Sequence, residues 1–132
     1  MKNRKAARQA IAGLLSTEIT TFQAVYDHSI IDPGGLSPIA TLESDGTGPA
    51  RTFDPVTRQQ ALIITLYWLW TDTTENSLDD LSDDVLDVID ANPENAGVWS
   101  ALGVDDAFTQ TGFDEPEPGV VYRFERIRVI VE

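Results

Sequence analysis

The sequence predicts an α+β fold, with a largely antiparallel sheet carrying helices packed on one face. Three stretches carry the prediction. Gln59 to Trp70 is the longest run free of charge, proline and glycine, and its β-branched and aromatic residues suit a pleated surface. Val120 to Val131 is a second long strand, mixed in charge at its middle and apolar at its end. Between them Leu78, Leu81, Val85, Val88 and Ile89 recur at helical spacing. The central run is apolar on both faces of a strand: Ala61, Ile63, Thr65, Tyr67 and Leu69 alternate with Leu62, Ile64, Leu66, Trp68 and Trp70. Such a strand needs cover on both sides. The second helix can cover one; the source of the other cover bears on function.

The elements follow in order. Residues 3–19 read as a helix through Ala7, Ile11, Leu14 and Leu15, with Arg4, Lys5 and Arg8 at its start. Cations there oppose the helix dipole by a few tenths of a kcal/mol. The cluster is read either as a solvated end or as a contact with an acidic partner. Phe22 to Tyr26 is a short strand, and Asp32-Pro33-Gly34-Gly35 a turn. Ile39 to Glu43 is another short strand, after which Asp45-Gly46 predicts a tight hairpin turn. Ala50 to Asp54, bracketed by Pro49 and Pro55, is at most an edge strand or a loop. After the central strand, Thr71 to Asn76 forms a polar connection and Ser77 caps a helix running to residue 91, which Asn92-Pro93 stops. Asp79, Asp80, Asp83, Asp84, Asp87 and Asp90 occupy its outer face. Residues 95–108 read as an irregular helical segment, and 109–119, rich in acid and proline, as a mobile loop or arm.

At 132 residues the chain fits one domain, expected to span 1–132. Its charge is the unusual total: 22 acidic against 9 basic residues give −13, with Asp outnumbering Glu 14 to 8. This argues against binding a nucleic-acid backbone, which requires a basic surface. Two readings of the acidity stand. One is a high-salt environment, where in about 1 M salt the Debye length falls to roughly 3 Å and self-repulsion is screened; the other is an ordinary acidic protein kept soluble by charge. No apolar signal region follows the basic start, so synthesis in the cytosol is expected.

No catalytic constellation stands out. Cysteine is absent and His28 is the one histidine, which excludes thiolate sites and a two-histidine metal site within one chain. His28 and Ser29 are neighbours that a strand would point to opposite faces. Gly46-Thr47-Gly48 lacks the Gly-Lys-Ser/Thr ending of a phosphate loop. The aspartates of the second helix project from a regular helix and do not converge as calcium-loop ligands do. No cofactor and no metal are expected.

The arrangement resembles the tail terminator, or tail completion, proteins of long-tailed viruses. The likeness rests on the N-terminal helix with Ala10, Ile11 and Leu14, on Val25-Tyr26-Asp27 leading into a proline/glycine loop, and on the strand beginning Ser37-Pro38-Ile39. It continues through strand 59–70, the helix with Leu81, Val85, Leu86 and Ile89, and a closing strand with Tyr122, Phe124 and Ile127. The acidic helix face and segment 109–119 depart from the pattern. The resemblance implies a non-enzymatic virion protein, a homohexameric ring at the head-proximal end of the tail tube. That ring ends tube growth, joins the tube protein to the head connector, and lets DNA pass through its centre without specific binding; no membrane is involved. The −13 balance separately motivates the expectation that acidic residues line the bore, where like charge keeps DNA from sticking. A neighbouring subunit would then cover the second sheet face, with Tyr67, Trp68 and Trp70 as anchors and Arg123, Arg126 and Arg128 at the contact. Arg4, Lys5 and Arg8 would touch a partner. The rival reading is a small acidic monomeric or dimeric module that binds protein along a sheet edge; a small acidic enzyme is a third.

Overall fold

The computed structural model describes residues 4–49, 58–105 and 109–132. Helix α1 (Arg4–Glu18) is followed by β1 (Ala24–Tyr26), β2 (Ile39–Pro49), β3 (Arg58–Leu69), α2 (Thr74–Ala91), β4 (Leu102–Val104), β5 (Gln110–Glu117) and β6 (Val120–Val131). The sheet runs β1-β2-β3-β6-β4, with β5 also on β6. Among the described strands β1 and β2 pair in parallel and the other pairs are antiparallel. The α+β class with a largely antiparallel sheet is therefore observed, and the two long strands are adjacent at its centre.

Residue parity decides which side chains meet the helices. Leu62, Ile64 and Leu66 of β3 stand opposite Val129, Ile127 and Glu125 of β6, and Ile64 and Leu66 opposite Leu42 and Ala40 of β2. Their apolar members form one buried cluster with Ala7, Ile11 and Leu15 of α1 and Leu78, Leu81, Val85 and Ile89 of α2. Both helices thus lie on the same face, because each has one apolar stripe to bury. The six aspartates of α2 lie on its exposed side, and Asn92 ends that helix as expected.

Five expectations change. Asp45-Gly46 is not a hairpin turn: β2 continues through it to Pro49, and the register against β3 slips between Ser44 and Gly46. Gly46 has φ +119°, and positive φ serves a bulge as readily as a turn. Helix α2 begins at Thr74 rather than after Ser77. The Thr74 hydroxyl accepts from the Thr71 amide (2.7 Å) and donates to the Leu69 carbonyl (2.9 Å), tying the helix start to the end of β3. The first part of segment 95–108 is a turn, with Asn95 bridging Trp99 and the buried Trp99 indole donating to the Asn92 carbonyl (3.1 Å); β4 follows. Segment 109–119, expected as a loop, supplies β5. Its acids and Pro116 fit an edge strand, and the register breaks between Asp114 and Glu117, around that proline. Finally, the second face of β3 has partial cover from its own chain, by a loop described below. Ala50 to Asp54 lies outside the described residues.

Candidate interaction surface

Among the described residues the sheet's second face carries no helix. Across it run Ile39, Thr41 and Glu43 of β2, Ala61, Ile63, Thr65, Tyr67 and Leu69 of β3, and Tyr122, Phe124, Arg126, Arg128 and Ile130 of β6, as the register dictates. Parallel β1 and β2 need a long return connection. The loop 27–38 makes it and folds over one end of this face, where the Tyr122 hydroxyl donates to the Leu36 carbonyl (3.2 Å) and Pro33 is buried. Tyr122 is fully enclosed, which raises its phenol pKa. Beyond the loop the face is mixed: Ala61, Thr41 and Thr65 are buried, Ile63, Tyr67 and Phe124 are half-buried, and Arg126 is exposed. Tyr67 packs edge-on to Tyr122 (6.1 Å) and tilted on Phe124 (6.3 Å), while the Arg126 guanidinium lies over the Phe124 ring (4.7 Å). Burial raises the Tyr67 pKa, Asp114 and Glu43 add to this, and Arg126 opposes it. Phe124 overlies Gly112 of β5 so closely that a Cβ there would sit 2.5 Å from the ring.

The expected interface residues therefore divide between two faces. Tyr67, Arg126 and Arg128 belong to the open face, where Arg128 pairs with Asp45 (2.9 Å) and with Asp105. Trp68 points to the helix side and packs against the core. Arg123 also lies on the helix side, paired with Glu75 (2.8 Å) and stacked over Phe113 (4.7 Å), which meets Trp70 edge-on (5.3 Å). Trp70 and Phe113 are 48% and 56% exposed, too open to be core filling. They lie at the end of the sheet where β3 ends and β6 begins; Ile31, which is fully exposed, belongs to the 27–38 loop, whose Asp32 meets the β5–β6 turn. Phe113 was hidden within a segment read as a loop; its place in β5 is what exposes it beside Trp70.

Of the basic cluster on α1, Arg8 is tied inward, donating to the Asp27 carbonyl (2.9 Å) and the Ser44 hydroxyl (2.5 Å). Arg4 and Lys5 are exposed. His28 is exposed and stacks on Tyr26 (5.8 Å). Among the described residues no three His, Cys, Asp or Glu side chains gather as a metal site, and no helix is long and apolar enough to cross a membrane. No protein-family model matches the chain, and no curated protein matches it in sequence.

The loop also meets the β5–β6 turn through two acids. Glu117 shares a hydrogen bond with Asp32, which raises the Glu117 pKa, and the charge of Asp32 adds to it. Asp32 in turn accepts from the Gly34 amide (2.8 Å). A raised carboxyl pKa means that the folded chain holds this proton more tightly than the unfolded one. The link is thus complete below the ordinary glutamate range and is lost as pH rises through the raised value. Carboxyl carbon NMR is expected to show Glu117 titrating above an ordinary glutamate, and Asp32→Asn to remove the repulsive charge and lower its midpoint.

Proposed function

We propose that the protein is a ring-forming structural component of a viral tail, ending the tail tube and joining it to the head connector. The observation that carries the reading is the partly open second face of the sheet, where Ile63, Tyr67 and Phe124 are half-buried, while the helices of the described residues lie on the other side. A neighbouring copy supplies the missing cover, and a contact between unlike surfaces closes into a ring when repeated by rotation. The element order on which the viral resemblance rests is also present, from α1 through the two long strands to the closing β6. Arg126 over Phe124 and Trp70 against Phe113 have the aromatic and arginine composition that dominates protein contacts. The acidic surface keeps DNA from sticking within the bore.

Light scattering tests the reading: a mass of six 14.5-kDa chains supports it, and a monomer in both dilute buffer and concentrated salt counts against it. Trp70→Ala is expected to shift the assembly toward monomers with an unchanged far-ultraviolet circular dichroism spectrum, since the side chain is half exposed. Loss of the folded spectrum together with assembly would make Trp70 a core residue instead. A second reading, a module that adds a partner strand, rests on β2: β1 pairs only with Ile39 to Thr41, which leaves the outer edge beyond them without a described neighbour strand. A monomer that binds an extended peptide along that edge favours it.

A further inference from the structure

A groove of about 220 Å³ opens on the helix side of the sheet, between the end of α1 and the first half of α2. It is lined by Thr21, Trp68, Ser77, Asp80, Leu81 and Asp84. Trp68 is half-buried, its ring packed against the core, and the carboxylates of Asp80 and Asp84, one helical turn apart on α2, are exposed. An indole beside two carboxylates is a site for a positive side chain: the aromatic face attracts the cation and the carboxylates accept its hydrogen bonds. Among the described residues no cation of the same chain pairs with Asp80 or Asp84, whereas Arg123 and Arg128 are committed to other acids.

The complementary group is in the same sequence, at the opposite end of α1. Arg4 and Lys5 occupy its first turn, where there is no acidic residue, and no carboxylate among the described residues pairs with them. Their charges oppose the helix dipole there. Helix α1 has 15 residues, about 22 Å at a rise of 1.5 Å per residue. Thr21, beyond its C-terminus, lines the groove. The two ends are thus too far apart for Arg4 or Lys5 to enter the groove of its own chain.

We infer that the groove formed by Trp68, Asp80 and Asp84 in one copy receives the Arg4–Lys5 end of α1 from the next copy. The contact joins unlike ends of the molecule, so it repeats head to tail and gives a closed ring or an open filament according to its rotation. It rests on the assembling role proposed above and supplies that role with a specific electrostatic contact. It also accounts for cations placed where the helix itself disfavours them.

Charge reversal tests the contact at about 0.15 M salt, where screening over roughly 8 Å leaves a direct pair intact. The double variants Arg4→Glu/Lys5→Glu and Asp80→Lys/Asp84→Lys are each expected to weaken association at least tenfold by light scattering. The chain carrying all four changes is expected to recover it. Circular dichroism checks that each variant folds. A synthetic peptide of residues 1–12, titrated into the Arg4→Glu/Lys5→Glu protein, is expected to change tryptophan fluorescence saturably. The same peptide is expected to leave the Asp80→Lys/Asp84→Lys protein unchanged. Assembly that survives both reversals, or a folded quadruple variant that stays dissociated, overturns the groove contact while leaving the ring standing. A monomeric wild type leaves no next copy to enter the groove and defeats the ring and the groove contact together, whatever the peptide does.

Discussion

Ile64→Ala is expected to destabilise the chain by about 3–5 kcal/mol, a large part of the roughly 5–15 kcal/mol that holds a typical domain folded. Ile64 is fully buried on the central strand, with Leu42 of β2 on one side and Ile127 of β6 on the other. Both helices pack onto the cluster it belongs to. Truncation removes three carbons from a site bounded by two strands and two helices, which leaves little freedom to collapse, so a cavity remains. Urea unfolding measures the loss as a lower midpoint with an unchanged slope. Ile63→Ala supplies the contrast. Its side chain is only half-buried, on the face that carries no helix, and the expected cost in the isolated chain is about 1 kcal/mol. A cost for Ile63→Ala equal to that for Ile64→Ala would mean that the second face is core as well.

That contrast marks what was legible in the sequence. The alternation of Leu62, Ile64, Leu66 and Trp68 with Ile63, Thr65 and Tyr67 announces a two-faced strand. The spacing of Leu78, Leu81, Val85 and Ile89 announces the helix that covers one face. Which face it covers depends on register with β2 and β6, which no single stretch contains. Alternation already separates Tyr67 from Trp68 and Trp70, so the three cannot anchor one contact on one face; which of the two sets faces the helices is what register decides. The α1–α2 groove was invisible because it joins Thr21 to Trp68 and Asp84 across the fold. Segment 110–117 failed as a strand for a different reason. Its acids and Pro116 weaken any local preference for extended structure, and what makes it a strand is the ladder offered by β6. Asp45-Gly46 carried the right backbone signal and the wrong consequence, because a bulge and a turn draw on the same freedom of glycine.

Glu125→Ala is expected to cost about 2–3 kcal/mol, although the residue lies in the part of β6 that reads as polar. The residue is 7% exposed, and its carboxylate accepts two hydrogen bonds through Oε2, from the Ser82 hydroxyl of α2 (2.5 Å) and the Thr109 hydroxyl just before β5 (2.8 Å). Among the described residues no cation pairs with it, so these donors carry the compensation for taking a charge out of water. One side chain thereby ties β6 to α2 on one side and to the entry of β5 on the other. Alanine leaves both hydroxyls without that acceptor and opens a cavity, whereas Glu125→Gln keeps the volume and an accepting oxygen, at an expected cost of about 1 kcal/mol. A double-mutant cycle with Ser82→Ala isolates the α2 contact, with an expected coupling of about 1–2 kcal/mol. Coupling near zero would show that the hydroxyl and the carboxylate do not support each other. Because Thr109 leads into β5, Glu125→Ala is also expected to speed amide hydrogen exchange in β5 more than in β2, which the carboxylate does not touch. Loosening β5 moves Phe113 away from Trp70 and Arg123, so the aromatic corner at the end of the sheet depends on a carboxylate buried beneath α2.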